Sequence, residues 1–175
     1  MAPMPRHEGW GMIQKDLWLP LFILCSLTVT LASCAGPPAV QEYPTTIRCP
    51  GCPVMTVTRV IDGDTFVSPI GTVRLFGIDT PERGMPCFRE ASMGFRGLAG
   101  REVRVESGPR GMDPGGRRLF YVYTLDGNSI DEILVRAGLA RAWTRDGQHR
   151  GGLANWESKT RRAGEGCLWN TGKER

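Results

Sequence analysis

The feature that most narrows the fold is a succession of short β-prone runs, 56–61, 65–68 and 72–77, cut apart by the tripeptides DGD and PIG. Runs this short, rich in Val, Ile, Thr and Phe and bounded by turn residues, read as a meander. Two more follow at 102–106 and 119–124, the last ended by the turn pair Asp126 and Gly127, with the polar, glycine-rich segment 108–117 between them read as a loop. Phe88, Ala91, Phe95 and Leu98 fall at helical spacing and predict a helix over 87–99, although Gly94 and Gly97 each cost it about 1 kcal/mol relative to alanine. Ser129 and Glu132 have capping-box spacing ahead of the apolar stripe Ile130, Ile133, Leu134 and Ala137, which Gly138 stops. A last helix is expected over 152–163, with Leu153 and Trp156 inward and Glu157 facing Arg161. About five strands, with about three helices placed between and after them, predict an α+β domain whose strands curl into a small barrel.

The chain has 175 residues, room for one domain and extensions. Residues 1–33 are expected to stand outside the fold. Arg6 and Lys15 form a charged opening, 17–31 is almost wholly apolar, and LASC ends the run on small residues before Cys34. The run is short for a membrane span and Pro20 interrupts it. LASC resembles a bacterial lipobox, which makes Cys34 the expected lipid anchor to a membrane and places the protein outside the cytoplasm, attached to the cell envelope. An ordinary cleaved signal or an uncleaved anchor is the alternative, and Met12 is an alternative start. Residues 34–53 are then a lipid-anchored flexible tether, 54–170 the folded domain and 171–175 a short tail.

Removing 1–33 takes Arg6, Lys15, Glu8 and Asp16 together, so the net charge of +4 is unchanged. A mildly basic chain suits a polyanionic partner without establishing one. His7 goes too, which leaves His149 alone and excludes histidine-pair hydrolysis and histidine-rich metal sites as the main chemistry. Of the six cysteines, Cys25 leaves with the signal and Cys34 takes lipid; Cys49, Cys52, Cys87 and Cys167 remain. In an oxidising compartment these are expected to pair as Cys49 with Cys52 and Cys87 with Cys167, with other pairings open.

The chemistry concentrates in 61–83, IDGDTFVSPIGTVRLFGIDTPER. Three carboxylates, Asp64, Asp79 and Glu82, flank Arg74 on a strand. Hard cations take oxygen ligands, and a phosphodiester brought to one needs a cationic partner and a base for the attacking water. Arg74 and Asp79 are five residues apart, so strict alternation sends them to opposite faces; the strand must bend or end between Gly77 and Asp79 for both to serve one phosphate.

VIDGDTF, VRLFGIDTPE, DPGGRRLFYVY, DEILVRAGLARAW and the closing GCLW, in this order, resemble the staphylococcal nuclease (thermonuclease) family over most of the mature chain. The resemblance implies an OB-fold five-stranded β-barrel with three helices. It implies Asp64, Asp79 and the Thr80 carbonyl as Ca²⁺ ligands, Glu82 as general base, and Arg74 and Arg117 as phosphate-binding arginines. It further implies a Ca²⁺-dependent endonuclease that takes DNA and RNA with little sequence preference and leaves 3′-phosphate ends; a monomer is expected, with the oligomeric state left open by the residues. The chain departs from the pattern at Gly115, where well-known members carry a tyrosine. Trp143 is the candidate for compensating base stacking, Tyr121 reads as core, and Arg101, Arg104, Arg110, Arg118, Arg141 and Arg145 are candidates for a basic track. A noncatalytic OB-fold module binding nucleic acid or an envelope protein, and a thiol-redox lipoprotein centred on Cys49 and Cys52, are the rival readings.

Overall fold

The computed structural model describes residues 45–170. The expected signal segment, Cys34 and the tail 171–175 lie outside them. The first expected strand is two, β1 (Val54–Thr56) and β2 (Arg59–Val60), and they are followed by β3 (Thr65–Ser68) and β4 (Gly71–Leu75). After β5 (Ile78–Asp79) come helix α1 (Phe88–Ala99), β6 (Glu102–Met112) and β7 (Arg118–Tyr123). The chain closes with α2 (Ile130–Arg136), β8 (Arg141–Ala142), α3 (Arg150–Ala163) and α4 (Gly166–Trp169).

Six strands form one sheet in the order β1-β6-β7-β4-β3-β2, and β5 pairs with β8 in a second. The six-stranded count corrects the expected five, and the reason is local. Val57 and Thr58 break the first strand, Val57 N–H turning to the Arg101 carbonyl and Thr58 N–H to the Val67 carbonyl, at 2.9 and 2.8 Å. One continuous stretch therefore edges both sides of the sheet, which curls it toward a barrel and covers edges that would otherwise pair with other chains. The fold is α+β with four helices rather than three, since the short α4 carried no periodic signal.

Alternation along β4 buries Val73 and Leu75 and leaves Thr72 and Arg74 on the outer face. Phe66 from β3 meets Phe95 of α1 with ring centroids 5.9 Å apart, and both rings are fully buried. Each contributes about 2 to 3 kcal/mol by area. β6 is far longer than expected, because its arm continues through Arg110 to Met112 after a register shift past Ser107. The glycines and proline that read as loop lie in that irregular arm, and the turn itself is confined to Asp113 through Gly116.

Both expected disulfides form, Cys49–Cys52 and Cys87–Cys167. The second spans a sequence separation of 80 residues and is worth about 4 kcal/mol by its restriction of the unfolded chain. The described part of the expected tether, 45–53, is docked on the domain, which corrects that boundary. Buried Glu132 accepts the Thr46 N–H, the Thr46 hydroxyl and the Ile47 N–H at 3.0, 2.9 and 2.8 Å. Only half of the capping box is realised. Ser129 caps the Glu132 N–H at 3.1 Å, whereas the Glu132 carboxylate holds the arm instead of turning back to Ser129. Nor does Glu157 pair with Arg161: it accepts the Ala142 N–H at 2.9 Å, and Arg161 lies over the Trp169 ring.

Candidate active site

β4 stops at Leu75, the chain breaks direction over Phe76 and Gly77, and β5 begins at Ile78. The bend demanded by the spacing of Arg74 and Asp79 is present, earlier than expected and as a break between two sheets. Gly77 is required there for room: a Cβ would stand 2.6 Å from Leu153 Cδ1 and 2.8 Å from Asp131 Oδ1. Its N–H donates to Asp131 Oδ1 at 3.0 Å, while Val122 N–H donates to Asp131 Oδ2 at 3.1 Å. A buried carboxylate thus ties the break to β7.

The break lets one guanidinium serve both aspartates. Arg74 Nη1 donates to Asp64 Oδ1 at 2.7 Å and Nη2 to Asp79 Oδ1 at 2.5 Å. Asp64 also accepts the Thr65 hydroxyl at 2.9 Å and, on its other oxygen, the Thr80 N–H at 3.0 Å. Asp62 accepts the Asp64 N–H at 3.1 Å and so shapes the DGD turn. Burial pushes the Asp64 carboxyl up to about 6, against the pull of Arg74 and the Thr80 N–H. Burial also works against the charge of Arg74, but Asp64 and Asp79 prevail and hold its proton more firmly than usual. Asp64 is buried and the Asp79 side chain is 54% exposed, so the cluster opens to solvent on the Asp79 side.

Glu82 is exposed two residues past Thr80, in a turn closed by Met85 N–H donating to the Glu82 carbonyl at 2.9 Å. Arg117 leads into β7, which runs parallel to β4 with Val73 opposite Arg118. Asp113 accepts the Arg117 N–H and Nε at 2.9 and 2.6 Å. Burial raises the Asp113 carboxyl, but these bonds prevail and hold it below the ordinary range. Asp64, Arg74, Asp79 and Thr80 are therefore joined in one hydrogen-bonded cluster, and Glu82 lies two residues beyond Thr80. Arg117 is oriented separately on the neighbouring strand; neither side chain bonds to the cluster among the described residues. Asp113 and Asp131 were missed from sequence; the DPGGR spacing held the signal for the first.

The stacking expectation for Trp143 meets a structural use of that residue. Its N–H donates to the Gly77 carbonyl at 2.8 Å, its indole Nε1 to Asp146 at 2.6 Å, and Arg145 covers the ring. Tyr121 is core, as expected. The basic track loses members to structural work: Arg104 bonds the Leu125 and Cys52 carbonyls, Arg118 the Ile70 carbonyl, and Arg110 pairs with Asp146.

The acidic groups that Arg74 joins, the carboxylates of Asp64 and Asp79, offer oxygen donors only. Carboxylate oxygens are the donors that a hard divalent cation takes, although no group of three or more acidic, histidine or cysteine side chains comes together among the described residues. An arginine bridging two aspartates thus stands at the break between the two sheets of a curled α+β domain. The family model described as "Staphylococcal nuclease homologue" matches residues 72–171, and the chain belongs to that family. The match takes in Arg74, Asp79, Thr80, Glu82 and Arg117; Asp64 precedes it. The SPbeta prophage-derived endonuclease YokF of Bacillus subtilis (strain 168) is 37% identical over 100 residues, covering 50% of this chain and 33% of that protein. The thermonuclease of Staphylococcus intermedius is 37% identical over 97 residues, covering 49% of this chain and 57% of its own. Endonuclease YncB of B. subtilis is 37% identical over 100 residues, covering 50% of this chain and 46% of its own. The chain thus spans from a third to somewhat over half the length of these relatives.

Proposed function

We propose that this protein is a Ca²⁺-dependent endonuclease that hydrolyses DNA and RNA with little sequence preference and leaves 3′-phosphate ends. The observation that carries the reading is the fork of Arg74 across Asp64 and Asp79, in a chain of this family. Asp64, Asp79 and the Thr80 carbonyl would hold the ion, which when bound supplies Lewis-acid polarisation of the phosphate and a template for water. Glu82 takes a proton from the attacking water. Arg74 and Arg117 meet the charge that builds on the equatorial oxygens, through planar, charge-assisted bonds that a lysine would reproduce poorly. Asp113 keeps Arg117 turned for that contact. Gly115 in place of an aromatic residue argues for weak grip on the base beside the cut. We extend the reading to an exported monomer anchored by lipid on Cys34, supported by the LASC motif.

The test is digestion of circular single-stranded DNA with Ca²⁺ and with chelator. Calcium-dependent linearisation, followed by fragments that a polymerase extends only after phosphatase treatment, is the expected result. Binding to the circle without cutting in calcium would instead identify a noncatalytic OB module.

A further inference from the structure

Glu82 sits on a loop, residues 80–87, with few ties of its own. Thr80 is fixed through Asp64, but from Glu82 to Pro86 every residue is exposed, and the only backbone bonds are the internal turns from Met85 to Glu82 and from Phe88 to Met85. The far end is Cys87, which begins α1 at φ 70° with no side-chain cap; it is the single non-glycine residue with positive φ among the described residues. L-residues other than glycine rarely hold that conformation unless their surroundings impose it. Cys87 is also the residue bonded to Cys167, and its carbonyl accepts the Ala91 N–H at 3.0 Å.

Cys167 is itself firmly placed. Leu168 N–H donates to the Gly138 carbonyl at 3.1 Å, and Gly166 packs so closely on Ala137 and Gly138 that a Cβ could not fit. The Trp169 ring lies under two guanidiniums, Arg141 at 5.6 Å and Arg161 at 5.3 Å from its centroid. Arg141 is the cross-strand partner of Asp79. Both ends of the Glu82 loop are therefore referred to the same small sheet, one through Asp79 itself and the other through the disulfide and Trp169.

We propose that the Cys87–Cys167 disulfide is a clasp that positions Glu82 against the Asp64, Arg74 and Asp79 cluster, so that the site is complete only in the oxidised protein. This rests on the nuclease reading above. Reduction by a dithiol breaks the sulfur–sulfur bond: two electrons and two protons pass to Cys87 and Cys167, leaving two thiols, and the reductant closes to a cyclic disulfide. Glutathione disulfide reverses the step, releasing two glutathione thiols. A chain whose cysteines are still reduced would thus carry the metal ligands and arginines but a loosely held base.

The full chain is compared with Cys87→Ala/Cys167→Ala and, as a control, Cys49→Ala/Cys52→Ala, each with and without Glu82→Gln, in Ca²⁺ on single-stranded DNA. The clasp-free variant is expected to lose about ten-fold or more in kcat with KM changed by less than about two-fold, since small misplacement of a reacting group is costly. The control should keep full activity. In the Glu82→Gln background, clasp removal should cost no more than about two-fold, because its effect runs through Glu82. Equal losses in both backgrounds, or none in either, overturn the clasp and leave the nuclease standing. An oxidised wild-type chain that cuts nothing removes both readings. If the clasp-free variant melts below the assay temperature, hydrogen exchange of the wild-type chain before and after reduction, at a temperature where both are folded, decides: faster exchange confined to 82–88 supports the clasp, and uniform or absent change overturns it.

Discussion

Asp131 is the buried carboxyl that ties the bend between β4 and β5 to β7, and replacing it by asparagine should change how stability responds to pH. The carboxyl is fully buried, and burial pushes it up from 3.8 to about 7, against two backbone N–H donors from Val122 and Gly77 that favour the ionised form. A carboxyl that holds its proton more tightly when folded gives stability that is fully present below the ordinary carboxylate range. That contribution is lost as pH climbs through about 7. At about 1.4 kcal/mol per pH unit, the interval from 3.8 to about 7 corresponds to at most about 4 kcal/mol. Asparagine mimics the protonated group, but its amide nitrogen faces one of the two N–H donors, which costs about 1 to 3 kcal/mol at every pH. The stability of Asp131→Asn relative to wild type should therefore be negative near pH 4.5 and rise by up to about 3 kcal/mol by pH 8.5. Urea unfolding followed by tryptophan fluorescence across that range measures it. A flat difference would refute the reasoning. A difference that falls with pH would show the two backbone donors, rather than burial, governing the carboxyl.

Three further outcomes follow from the same geometry. Arg74→Lys keeps the charge but cannot reach both aspartates, and should lower kcat/KM on DNA by about 10² to 10³-fold while leaving the melting temperature within a few degrees. Gly77→Ala puts a methyl group against Leu153 and Asp131 and should cost about 1 to 3 kcal/mol in urea unfolding, with activity falling alongside. Burial works against the charge of Glu106, but hydrogen bonds from Tyr123, His149 and Gln148 prevail and hold it below its usual range. Its stabilisation is present above that range and lost on acidification, so Glu106→Gln should flatten the acid limb of the melting-temperature profile.

The helix over 88–99 and the strands around Phe66, Val73 and Val122 were legible because their apolar residues recur at one period and all face one core. The cluster of Asp64, Arg74 and Asp79 was legible too, since the conflict between spacing and alternation required a bend. What stayed hidden depended on partners distant in sequence. Glu132 reads as a cap from its neighbours, but its oxygens belong to Thr46 and Ile47, 86 and 85 residues away. Trp143 reads as a candidate for base stacking until Asp146 claims its indole. The arm 108–112 reads as loop because its pairing is irregular, and α4 is too short to show a period.

The Glu132 clamp also draws the arm ahead of β1 into the domain. A version trimmed to start at β1, the boundary that composition suggests, would strip three donors from a carboxylate with no exposure and leave it with Arg136. Losing those donors costs about 1 to 3 kcal/mol, a sizeable share of a domain's marginal stability. Thr45 to Ile47, three residues of what looked like leash, thus belong to the folded unit.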